Sequence, residues 1–138
     1  MRYLDHCIHL AGGGSQQIPA GKVVCVGLNY RDHVKEMDGQ VADEPVIFLK
    51  PSSALVPLEE PVAIPVEFGA CHYEAEMSIL IGEQLGDCTE EEAAKAIIGV
   101  GVALDLTLRD LQSQFKQKGH PWDKAKGFDG ACPASAFV

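Results

Sequence analysis

The chain has 138 residues, 11 Lys+Arg against 20 Asp+Glu, and a formal charge of −9. With 46% hydrophobic and 22% charged residues it is not a disordered tail, and no apolar run approaches the roughly 20 residues that a spanning helix needs. The acidic balance argues against nucleic acid or an anionic membrane surface as a partner, and directs attention to where the carboxylates lie.

The first residues, Met1-Arg2-Tyr3-Leu4-Asp5-His6, lack the charged-then-apolar pattern of a secretory leader. Five widely spaced cysteines (Cys7, Cys25, Cys71, Cys88, Cys132) contain no Cys-x-x-Cys pair. They read as free thiols in a reducing compartment, so a cytoplasmic location is expected.

Residues 1–21 read as an N-terminal arm with one edge strand over residues 3–10 and a flexible stretch at Gly12-Gly13-Gly14-Ser15-Gln16-Gln17. The triple glycine has no following Lys-Ser/Thr, which excludes a phosphate-binding loop of that type. Residues 22–27, β-branched and ending in glycine, predict a buried strand; residues 29–37 predict a short helix stopped at Asp38-Gly39. Residues 45–51 form a strand fenced by prolines, and Pro57, Pro61 and Pro65 break the next stretch into turns and short extended pieces. Residues 73–82 predict a strand. Thr89 and Glu92 form a capping box for a helix running to Gly99, and strand character resumes over 100–104. Residues 113–119 read as a polar segment leading to His120-Pro121-Trp122, where Trp122 is expected to pack. Cys132 to Val138 looks like the beginning of a strand, so the domain at 22–138 is expected to be incomplete at its C-terminus. The fold class expected is α+β, mainly β, without alternating βαβ units.

Glu74-Ala75-Glu76 places two carboxylates at i and i+2 of a strand, hence on one face, with Ala75, Met77 and Ile79 on the apolar one. Same-face carboxylates repel unless a cation, a shared proton or a basic neighbour intervenes. Asp105 follows the apolar run Val102-Ala103-Leu104, where an unpaired acid is costly to bury. Glu74, Glu76 and Asp105 thus form a candidate three-carboxylate site for a hard divalent cation. The same pattern also fits glutamates facing solvent from a half-exposed strand. His33 and Glu36, at i and i+3, can act as an imidazole base with its carboxylate partner, or form a surface pair. His72 is a structural neighbour of the pair. Lys124 and Lys126 share a face if extended, and either can stabilise a developing anion or sit in solvent. Lys50, ending an apolar strand, is a further candidate for anion contact.

In series, residues 27–36, Phe48-Leu49-Lys50-Pro51, Tyr73-Glu74-Ala75-Glu76, residues 104–112 and residues 122–129 resemble the fumarylacetoacetate hydrolase family, in particular its short acylpyruvase-like branch. The resemblance implies a mixed β-roll with short peripheral helices. It implies metal ligands at Glu74, Glu76 and Asp105, occupied by Mg²⁺ or Mn²⁺, and a catalytic dyad, His33 and Glu36, on a lid helix. It also implies an enolate-stabilising Lys126, substrate contacts from Arg109, Gln112 and Lys50, and a homodimer. The family's domain continues past the position of Val138 with a Gly-Thr-Pro-x-Gly-Val-Gly type segment that this chain lacks. The activity implied is hydrolysis of acylpyruvates to pyruvate and a carboxylic acid. Decarboxylation or isomerisation of 2-oxo acids, oxaloacetate among them, would use the same enolate stabilisation. A non-catalytic fragment or interaction module is the reading from another class.

Overall fold

The computed structural model describes residues 5–9, 14–19, 21–27, 29 and 44–138. The expected helix over 29–37, with His33 and Glu36, lies outside the described residues apart from Asn29.

Strands β1 (Asp5–His9) and β2 (Ser15–Pro19) form an antiparallel ribbon, with Asp5 opposite Pro19 and His9 opposite Ser15. Ser15, Gln16 and Gln17, read as flexible from their neighbouring glycines, are therefore strand; tertiary pairing overrides a weak local preference. Strand β3 (Val23–Gly27) pairs antiparallel with β4 (Val46–Lys50), Val23 facing Lys50. A 3₁₀ turn (Ser52–Ala54) leads into β5 (Leu55–Pro57). A second 3₁₀ turn (Val66–Phe68) precedes β6 (Cys71–His72) and β7 (Ala75–Ile81).

Helix α1 (Glu90–Lys95) starts with the expected capping box: the Glu92 amide donates to Thr89 Oγ1 at 3.3 Å and the Thr89 amide to Glu92 Oε2 at 2.8 Å. It stops earlier than expected. Ile97 and Ile98, assigned to the helix from sequence, already belong to β8 (Ile97–Leu104), where β-branched side chains are better accommodated. β9 (Thr107–Leu108) pairs with β6, and α2 (Arg109–Lys118) follows directly. Residues 113–118, read as a polar segment, are the outer turns of α2, ended by Gly119 at φ 65° in the left-handed region. A one-turn helix α3 (Asp123–Lys126) and β10 (Cys132–Ala134) complete the chain.

The principal sheet has the order β5-β10-β8-β7, with β10 parallel to β5 and antiparallel to β8. The architecture is mainly β with short helices, as expected. Gly99 in β8 lets the chain's last residues cross closely: a Cβ there would lie 2.9 Å from Phe137 Cβ. Val100 and Val138 exchange backbone hydrogen bonds at 2.9 and 3.0 Å in that segment. The core is built from Leu55 and the small residues Ala54, Ala103, Ala131 and Cys132, with Val23, Phe128 and Ala134 against it. Leu80 and Phe137 form a second cluster, on which Ile18 of the ribbon packs. Among the described residues no helix is long and apolar enough to cross a membrane.

Candidate active site

The antiparallel register of β7 and β8 builds the centre. Ala75 faces Leu104 and Glu76 faces Ala103, so Glu74 and Asp105 are the next pair outward; the Asp105 amide donates to the Glu74 carbonyl at 2.8 Å. Residues opposite one another share a sheet face, and so do residues two apart. Glu74, Glu76 and Asp105 therefore lie on one face, the less exposed one. Met77 and Ile79, on the other, are 66% and 47% exposed. On β7 Glu76 and Ser78 are thus turned inward with the buried Leu80, while Met77 and Ile79 face outward, so the less exposed face carries polar side chains beside an apolar one.

Three cations answer these acids. Helix α3 carries Lys126 inward: the Ala125 and Lys126 amides donate to the Trp122 carbonyl at 2.8 and 2.9 Å, and Lys126 is 3% exposed. Its ammonium donates to Asp105 Oδ2 at 2.5 Å and to Glu74 Oε2 at 3.3 Å, standing between the two carboxylates. Because residues 123–126 are helical, Lys124 does not share this position; its ammonium lies over the Phe68 ring at 4.4 Å. Arg109, first residue of α2, donates through one terminal nitrogen to Glu74 Oε1 and through the other to Gln112 Oε1 at 2.8 Å. Lys50, expected at the substrate, lies beneath the carboxylates at 1% exposure. Its ammonium sits 2.8 Å from Asp105 Oδ1 and donates to the carbonyls of Leu106 at 3.3 Å, Ala131 at 3.0 Å and Lys126. A buried ammonium needs this full set of acceptors.

Burial raises the Glu74 carboxyl, but Lys126 and Arg109 together outweigh it and hold the group below its ordinary value. Two thiols lie beside the centre. Burial, aided by the Asp105 charge, pushes Cys25 up to about 12; burial, eased by Lys50, pushes Cys132 up to about 11. Both stay protonated near neutral pH and are not nucleophiles there.

The centre opens into a cleft of about 1520 Å³ between the β3–β4 pair and the β7–β8 pair. Phe48 and Trp122 meet on its wall with ring centroids 6.0 Å apart, so Trp122 packs as expected. Lys116 lies on the same wall, its ammonium 5.0 Å above the Trp122 ring. Sequence reasoning missed Lys116. The signal was its i, i+3, i+7 spacing from Arg109 and Gln112, visible only once α2 is known to continue to Lys118. Among the described residues no three His, Cys, Asp or Glu side chains stand together as a ready metal cage, and Lys126 bonds to both Glu74 and Asp105. The donor chemistry nevertheless suits a hard divalent cation: carboxylate oxygens on one face, bordering a wide cleft.

Residues 22–138 match the family model described as fumarylacetoacetate (FAA) hydrolase C-terminal. The chain belongs to the fumarylacetoacetate hydrolase family. Among curated proteins of the family it is 54% identical over 126 residues to oxaloacetate tautomerase YcgM of Escherichia coli K12, covering 91% of this chain and 58% of that protein. It is 44% identical over 116 residues to human mitochondrial oxaloacetate tautomerase FAHD1, covering 84% of this chain and 52% of that protein. The chain thus spans about half the length of these curated relatives. Solved structures of the family superpose closely. A fumarylacetoacetate hydrolase family protein from Yersinia pestis CO92 gives a TM-score of 0.88 at 50% identity, over 96% of this chain and 61% of that one. Fumarylpyruvate hydrolase from Pseudomonas aeruginosa, solved with Mn²⁺ and pyruvate, gives 0.86 at 34% identity, over 99% of this chain and 60% of that one.

Proposed function

We propose that this chain carries the metal-dependent centre of an enzyme that interconverts enol and keto forms of a 2-oxo acid, with oxaloacetate as the substrate tested first. The observation that carries this reading is the Lys126 ammonium set between Glu74 and Asp105 at the cleft. The sequence similarity to oxaloacetate tautomerases supports it and moves tautomerisation ahead of acylpyruvate hydrolysis.

In this reading Glu74, Glu76 and Asp105 hold Mg²⁺ or Mn²⁺, which when bound supplies Lewis-acid polarisation of the 2-oxo acid. Lys126 stabilises the oxygen that becomes negative in the enolate. Arg109 and Gln112, locked together on α2, orient the carboxylate end. His33, with Glu36 as its expected carboxylate partner, takes the proton from the carbon beside the carbonyl and returns it to the enolate oxygen. Lys50 supports Asp105 and the Lys126 backbone from below.

The test is decay of enol oxaloacetate absorbance in the presence of the 138-residue chain and Mg²⁺. Lys126→Met is expected to lower kcat about hundredfold, the size typical for loss of an oxyanion donor. Titration should show Mn²⁺ binding weakened in Glu74→Ala and Asp105→Ala. Rates no faster than Mg²⁺ alone, or unchanged in Asp105→Ala, would sink the reading. A second reading, cleavage of acylpyruvates by water activated at His33 and Glu36, is favoured by the likeness to fumarylpyruvate hydrolase. Release of pyruvate from acetylpyruvate would select it; release of CO₂ from oxaloacetate would select decarboxylation, the activity named for a relative in Dictyostelium discoideum.

A further inference from the structure

Helix α2 presents Arg109, Gln112 and Lys116 to the cleft at i, i+3 and i+7, a single stripe along one helix face. The first two are paired with each other and, through Arg109, with Glu74, at the end of the cleft where the 2-oxo carboxylate is placed above. Lys126 lies between Glu74 and Asp105 at that same end, and Lys50 is buried beneath them. Lys116 differs. Among the described residues no carboxylate pairs with its ammonium, which instead rests over Trp122. Its Cα stands about 10 Å beyond that of Arg109 along the axis, and helical side chains lean toward the helix N-terminus, so the ammonium reaches back toward the centre. The like charges of Arg109 and Lys126 bear on it: partial burial and these two cations depress its basicity, against the weaker opposing pull of Glu74. Lys116 is exposed at the cleft, so its ammonium is free to meet an anionic group of a ligand bound there.

We propose that Lys116 determines specificity by receiving the distal carboxylate of a dicarboxylic 2-oxo acid whose 2-oxo carboxylate end is held at Arg109, Gln112 and Lys126. The proposal rests on the 2-oxo acid reading above and narrows it to diacids. Phe48 and Trp122, between the two ends, offer apolar walls to the intervening methylenes. The Trp122 face keeps the Lys116 stem aligned when no ligand is bound.

The experiment compares 2-oxoglutarate with 2-oxopentanoate, a matched pair differing in the distal carboxylate, by calorimetric titration of the Mg²⁺-loaded full chain. The native protein is expected to bind the diacid about tenfold more tightly, the scale of one charge-assisted contact. Lys116→Met, which keeps the stem over Trp122, should bring the two affinities together by weakening the diacid alone, and Lys116→Arg should restore the preference. With oxaloacetate, Lys116→Met should raise KM about tenfold and leave kcat within about twofold. Equal binding of both ligands by the native protein overturns the proposal while leaving the 2-oxo acid reading intact. So does a Lys116→Met variant that weakens both alike or neither. Failure to bind either ligand overturns both readings.

Discussion

At Glu74 two opposing effects meet, and their balance sets how the protein answers acid. Burial favours the neutral carboxyl, whereas Lys126 and Arg109 favour the carboxylate, and the cations win. A carboxyl held below its ordinary 4.5 in the folded chain adds stability that is fully present above that pH and fades as pH falls through the folded value. Chemical denaturation from about pH 7 down to about pH 3 should therefore show an acid limb that is shallower in Glu74→Gln, which is also less stable than the native chain at the neutral end. Identical limbs would show that Glu74 gains nothing from its two partners. This residue was legible in sequence as one of two same-face carboxylates that call for a cation, a shared proton or a basic neighbour unless they face solvent. That the cation standing there is an ammonium carried by α3 was not, because it depends on a helical turn at 123–126 that local pattern left undecided.

Helix α2 is the element that converts sequence into a cleft wall. Its first residue carries Arg109 and its stop depends on Gly119, whose φ of 65° is open to glycine and strained for other residues. A Cβ at Gly119 meets nothing within 4 Å, so substitution there costs backbone conformation alone. Gly119→Ala is expected to lower stability by about 1 kcal/mol, and Gly119→Asn by less, read from denaturant midpoints. Equal stability of Ala and Gly would contradict the left-handed stop. Strands 23–27, 46–50 and 75–81 were readable from a β-branched run ending in glycine, from proline fences and from a two-residue period, although β3, expected to be buried, exposes Val24 and Val26. The helix–strand boundary at Ala96–Ile97 and the full length of α2 were not. In both places weak local propensity yields to partners distant in sequence: Ile97 to Ile81 on β7, and Arg109 to the Ala70 carbonyl. The carboxylate face was legible for the opposite reason, since a two-residue strand period assigns Glu74 and Glu76 to one side without any knowledge of the fold.

Across the described residues of the whole molecule, apolar side chains cover two outward sheet faces. Val24 faces Leu49 and Val26 faces Ile47 across β3–β4, while Met77 faces Val102 and Ile79 faces Val100 across β7–β8. All eight are at least 40% exposed. Contiguous apolar surface of this kind favours association. The 138-residue chain is accordingly expected to run above its monomer mass in light scattering and to bind an apolar dye, and Met77→Lys combined with Val102→Lys should reduce both. A monodisperse monomer that binds no dye would contradict this. Lys50 has a different reach. The carbonyls that receive its ammonium lie 56, 76 and 81 positions further along the chain. Folding cannot satisfy that charge locally; three long loops must close before it has its partners, and long closures come late. The chemistry of the centre and the cooperativity of folding are thereby tied into one event. A chain docked only as far as β8 lacks all three carbonyls that make burial of this ammonium tolerable, so Lys50 is buried and satisfied only when the later segments arrive.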